Sequence, residues 1–165
     1  YIQADSANTN NVVVDGDTLY IISSGGFDGV FTEDGTIGIV DLAAADLDSP
    51  QSITPATAAE GQSFGAFCIQ DGAAWTGNLG NGSLVRHDAS AIPWTVTASR
   101  SFPGGTSGMA YIPGIEYSSV FHELYVTEFN GNRLFVLDPD SLATLNDYPS
   151  TSNPYGDAQF ILLVE

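Results

Sequence analysis

Two segments of this 165-residue chain align without a gap: WTGNLGNGSLVRHD from Trp75 to Asp88, and YVTEFNGNRLFVLD from Tyr125 to Asp138. Each places an aromatic on one apolar stretch, passes a Gly/Asn turn, opens the next stretch with a leucine (Leu84, Leu134) and closes on aspartate. A third copy runs from Tyr20 to Asp41, with the insertion GGFDGVFTED where the hairpin tip belongs. The closing aspartates Asp41, Asp88 and Asp138 are thus 47 and 50 positions apart. A period of that length means supersecondary units stacked in series, because one such unit cannot bury its apolar face alone.

Within each unit the apolar runs are short, rich in Val, Ile, Leu, Phe and Tyr, and bounded by Gly, Asn, Asp or Pro, which is the signature of strands. Examples are VVV at 12–14, LYII at 19–22, TIGIV at 36–40, LYVT at 124–127 and RLFVL at 133–137. The best helical candidate, DLAAADLDS at 41–49, is too short and carries acid at the end where a helix favours cations. Ahead of the hairpins we expect leading strands in NNVVVDG, FGAFCIQDG and GMAYIPG; after them, trailing strands in QSITPA, TVTASRSF and ATLNDY. Four antiparallel strands in about 45 residues make a propeller blade. The predicted fold is therefore all-β: one partial β-propeller over 1–165, with blades at 8–57, 61–103 and 106–150 and the opening strand of a fourth at 154–165. A β-sandwich is the alternative for a Gly-rich all-β chain. An open arc leaves strand edges and apolar faces exposed, so the expected partner is protein, either further blades of a longer chain or another copy. The apolar QFILLVE strand at 159–165 is the edge expected to pair.

Twenty acidic residues against three arginines and no lysine give a formal charge of −17. Nucleic acid is bound by clustered cations that release counterions, and Arg86, Arg100 and Arg133 are too few and too scattered for that. Anionic membranes are disfavoured on the same ground, and no apolar run approaches the roughly 20 residues of a spanning helix. Cys68 is the sole cysteine, so no internal disulfide can form; its FGAFCIQ setting reads as a small buried hydrophobe.

The segment YVTEFNGNRLFVLDPDSLAT at 125–144 resembles the YVTN-type repeat of bacterial and archaeal β-propellers, a group that includes lactonase-like members. The first unit is similar but interrupted, the second looser, and Pro154-Tyr155-Gly156 resembles the Pro-x-Gly that leads into each new blade of that family. The resemblance implies a surface-layer-like or secreted protein, placed outside the cell, on its surface or in the periplasm. It also implies kinship with lactonases and quinoprotein dehydrogenases. Lactonase propellers hold a divalent ion with carboxylates and Asn from inner strands. The matching strand starts here are Asn10 and Asn11, Ser63 and Phe64, Ser107 and Gly108, and Gly156 and Asp157, of which Asp157 alone is charged. The expected function is accordingly a non-catalytic binding platform or a structural subunit of an extracellular assembly. The alternative is part of a propeller enzyme whose active residues lie elsewhere.

Catalytic and cofactor-binding residues are not identified. His87 and His122, the two histidines, read as surface or strand-edge residues unless partners are fixed beside them. Among the carboxylates, Asp28, Glu33 and Asp34 of the insertion form a candidate calcium loop, since calcium takes carboxylate and carbonyl oxygens. A flexible insertion explains the same loop more economically, and Asp15-Gly16-Asp17 reads as a hairpin turn. The repeating Asp41, Asp88 and Asp138 are expected to cap the backbone of the turns that follow them. Trp75 and Tyr125 read as inter-blade core, and Trp94, Phe102 and Tyr148 lie on or near outer strands.

Overall fold

The computed structural model describes residues 8–29, 32, 34–44, 54–55, 63–102, 111–129, 131 and 133–149. Among the described residues all twelve regular elements are strands: β1 (Thr9–Asp15), β2 (Thr18–Ser23), β3 (Thr36–Asp41), β4 (Thr54–Pro55), β5 (Phe64–Gln70), β6 (Ala73–Asn78), β7 (Ser83–Asp88), β8 (Thr95–Ser101), β9 (Gly114–Ser118), β10 (Glu123–Glu128), β11 (Arg133–Leu137) and β12 (Thr144–Pro149). They form three four-stranded antiparallel meanders, β1 to β4, β5 to β8 and β9 to β12, each with its strands in chain order. Three stacked sheets exclude a two-sheet sandwich. Among the described residues each sheet is open, and no ring closure is seen.

The repeat is register-true. Tyr20, Trp75 and Tyr125 are each the third residue of their sheet's second strand, opposite Ile39, Arg86 and Val136, and two residues short of the closing aspartate. The same face carries Ile37, Leu84 and Leu134, opposite the fifth residue of that strand. In the first sheet this face, with Tyr20, Ile22 and Ile37, packs on Phe64, Phe67, Ala74 and Trp94 of the second. In the second sheet Trp75 and Leu84 pack on Ile115, Leu124, Val126, Phe135 and Leu137 of the third. The middle sheet is thus buried on both faces, which is why β5 and β6 read as nearly unbroken apolar or small residues. Leu84 is fully buried. Leu134 is only half-buried, because its face of the third sheet meets none of the described elements.

Two glycines leave room for close neighbours, Ile112 ahead of the third sheet and Leu79 in the second sheet's own β6–β7 turn. A Cβ on Gly77 would lie 2.5 Å from Ile112 Cγ2, and one on Gly65 would lie 2.4 Å from Leu79 Cδ2. Gly65 is also the extra residue of a bulge in β5, matched by Asn10 in β1. The third leading strand corrects the sequence reading: it is Gly114–Ser118, while Tyr111–Pro113 lie outside any strand and 108–110 lie outside the described residues. Pro113 has no N–H to give a ladder, and Ile115 and Tyr117 alternate with polar neighbours, so the pairing strand is the less apolar of the two stretches. The QFILLVE segment and Asp157 also lie outside the described residues.

Candidate functional site

A cleft of about 210 Å³ opens between the second and third sheets, lined by Gln70, Asp71, Ala73, Trp75, Arg86, Tyr117, His122, Pro139 and Asp140. Local rules put each group there. Asp71 and Gly72, at φ +50° and +78°, form the two-residue β5–β6 turn, a pairing that suits Asp-Gly. Ser119 to His122 connect β9 to β10, and His122 takes the left-handed position at φ +52°. Asp138 caps the next turn, its Oδ1 accepting from the Ser141 N–H and hydroxyl, and so sets Pro139 and Asp140 over the cleft.

The side chains form a continuous network. Trp75 and Tyr117 stack with centroids 5.2 Å apart and planes 15° from parallel. The Tyr117 hydroxyl lies 2.9 Å from His122 Nδ1, and His122 Nε2 is 3.7 Å from Asp140 Oδ2, an ion pair whenever the imidazole is protonated. Arg86 Nη2 donates to Asp140 Oδ1 at 2.9 Å. Trp75 Nε1 donates to the Pro139 carbonyl at 2.9 Å, and Arg100 Nη1 to the Leu142 carbonyl at 2.8 Å. Three side chains of the second sheet therefore clamp one turn of the third. The resulting walls mix donors with acceptors.

A second cavity, of about 380 Å³, lies where β1, β5 and β9 converge and is lined in part by Asn10, Asn11, Cys68 and Glu116. Glu116 is the charged group that the sequence pattern hides, because the more apolar GMAYIPG stretch precedes the strand that carries it, Gly114–Ser118. Burial, and then the Glu116 charge, push the Cys68 thiol up to about 12. Cys68 is half-buried and packs against the core.

His87 is buried, 2% exposed, and not at the surface as expected. It sits on β7 facing the first sheet, with Nε2 3.0 Å from Thr76 Oγ1 and its ring against Trp94. Alternation along β7 carried the signal: His87 is two residues from the buried Val85 on the same face. Burial lowers its pKa to about 4. In the insertion, Asp28 is exposed, Glu33 lies outside the described residues, and Asp34 accepts from the Gly26 N–H and the Thr32 hydroxyl within its own loop. Those bonds hold the Asp34 carboxyl below its ordinary range. The described residues contain no group of three or more His, Cys, Asp or Glu placed to hold a metal. They also contain no helix long and apolar enough to cross a membrane. Trp94 and Phe102 are core, whereas Tyr148 is exposed.

No known protein family matches the chain, and no curated protein does. Among solved structures, the crystal structure of the computationally designed Ika8 protein is similar over 99% of this chain and 68% of its own, at 11% identity and a TM-score of 0.41. A likeness that distant fixes neither a family nor a ligand.

Proposed function

We propose that this chain is an arc of a YVTN-type, lactonase-related β-propeller of a secreted or cell-surface protein, acting as a non-catalytic binding platform or structural subunit of an extracellular assembly. The observation that carries the reading is the repeated stack: three four-stranded meanders in chain order, each offering the same face to the next. Such stacking is how propeller blades bury their faces. All three arginines are engaged, Arg86 with Asp140, Arg100 with Leu142 and Arg133 with Asp147. An acidic surface with its few cations committed favours protein, polyol or cation ligands over nucleic acid. The natural partner is further blades, from a longer chain or another copy.

A second reading, part of a lactonase-like or quinoprotein-like enzyme, is favoured by one observation: Glu116, Asn10 and Asn11 share the cavity between the leading strands. Calcium at Asp28, Glu33 and Asp34 remains a separate proposal. Metal analysis of the purified protein with a lactone and ester hydrolysis panel decides between the two functions. The platform reading expects no turnover; hydrolysis with a stoichiometric divalent ion would establish the enzyme.

A further inference from the structure

We propose that the cleft between the second and third sheets binds a neutral polyhydroxylated ring, one monosaccharide unit; this names a ligand class for the platform and rests on that reading. Gln70, Arg86, Tyr117 and His122 bring donors, while Asp71 and Asp140 bring acceptors; the Pro139 carbonyl is already taken by Trp75 Nε1. A sugar hydroxyl donates and accepts through one oxygen, and adjacent hydroxyls match the paired atoms of planar carboxylate, amide and guanidinium groups. The mixture suits a polyol better than a ligand that only accepts or only donates.

Charge narrows the class further. Free anions are repelled by a chain of formal charge −17 and by Asp71 and Asp140 in the wall itself. Cations find Asp140 already paired with Arg86, which leaves one wall carboxylate, Asp71, to hold them. Neutral ligands escape both penalties. The volume of about 210 Å³ is below the roughly 300 Å³ at which pockets for drug-sized molecules begin, so it suits one ring. Val120 and Phe121, each 68% exposed, precede His122 in the β9–β10 turn and supply exposed apolar surface there. The walls are set before any ligand arrives, since Asp71, His122 and Asp140 are fixed by turns and the Trp75–Tyr117 stack backs them. Preorganisation of that kind lowers the cost of binding.

The test is a titration of the full 165-residue chain, followed by amide NMR and tryptophan fluorescence. Probes are glucose, galactose, mannose and N-acetylglucosamine, with galacturonate and glucosamine as charged counter-probes. We expect saturable shifts at Gln70, Asp71, Tyr117, His122 and Asp140 from at least one neutral sugar, with Kd of about 1 mM. Asp140→Asn and His122→Asn should each weaken binding at least about tenfold. Asn tolerates the left-handed backbone at position 122, so that variant keeps its turn and reports contact rather than unfolding. The proposal is overturned if no neutral sugar gives saturable shifts, if a charged counter-probe binds more tightly, or if both variants bind as the parent does. Such a result leaves the platform standing, whereas lactone or ester turnover removes the platform whatever the sugars do.

Discussion

At the residue scale, His87 has the clearest thermodynamic consequence. Its imidazole is neutral in the fold, with a pKa of about 4 against an ordinary 6.5, because burial between the first two sheets penalises the cation. Above pH 6.5 neither state gains a proton there. Between 6.5 and 4 the unfolded chain binds a proton that the folded one refuses, so stability falls as pH falls and levels off below 4. At 1.36 kcal/mol per pKa unit the loss is about 3 kcal/mol. Urea unfolding across that range should show it, and His87→Gln, which cannot titrate, should flatten the profile. A parent profile as flat as the variant's would refute the buried neutral imidazole. The carboxyls of Asp88 and Asp138 are also lowered, by their bonds to Ser90 and Ser141, but they lose stabilisation only as pH drops through their own depressed values. Cys68 yields a second residue-scale prediction. With its thiol pushed up to about 12, it should react with a disulfide reagent at pH 8 far more slowly in native protein than in urea; equal rates would place it in solvent.

At the scale of elements, much was legible because the repeat fixes chemistry to position. The three closing aspartates do what their spacing suggested: Asp41 Oδ1 accepts from Ala43 and Ala44 N–H, Asp88 Oδ1 from Ser90 N–H, and Asp138 Oδ1 from Ser141 N–H. β10 and β11 were readable from Leu and Val density, and the trailing β8 and β12, each opening on Thr, from their place after the closing aspartate. β9 was not, since its two inward residues, Ile115 and Tyr117, are flanked by Gly114, Glu116 and Ser118. The cleft was legible only in pieces: His122 stood out as a rare base, but its partners Tyr117 and Asp140 come from β9 and a turn, and the Arg86 that holds Asp140 comes from β7. Proximity of that kind depends on how two sheets stack, which one repeat does not encode. Stacking also sets which substitutions hurt. Gly77→Ala would drive a methyl into Ile112 and should cost about 1–3 kcal/mol as an overpacking change. Leu84→Ala should cost about 2–5 kcal/mol as a buried truncation, and Leu134→Ala clearly less, given its half-burial. Chemical denaturation of the three variants checks the order, and a Leu134 cost equal to that of Leu84 would contradict it.

At the scale of the whole molecule, charge and stacking pull in opposite directions. Burial of the middle sheet on both faces holds the three sheets together, while 20 carboxylates and three cations oppose any compact state at low ionic strength. The arginines cannot offset this across the surface, because each is fixed to a local partner at a turn or within a sheet. Among the described residues Asp15, Asp17, Asp28, Asp34, Asp41, Asp71, Asp88 and Asp140 are exposed, and repulsion between exposed groups is the kind that salt screens. Its range is about 30 Å at 0.01 M and about 3 Å at 1 M ionic strength, so it spans much of the fold in the first case and barely a side chain in the second. Melting temperature should therefore rise with sodium chloride, and most of the rise should come below about 0.15 M, where the screening length falls to about 8 Å. Differential scanning calorimetry at fixed pH 7.5 measures this without entering the His87 window. A similar rise in potassium chloride identifies screening, whereas a rise seen only with calcium chloride would assign the effect to ion binding at specific carboxylates. A melting temperature that is flat from 0.01 M to 1 M would mean that the excess charge is already compensated in the folded protein.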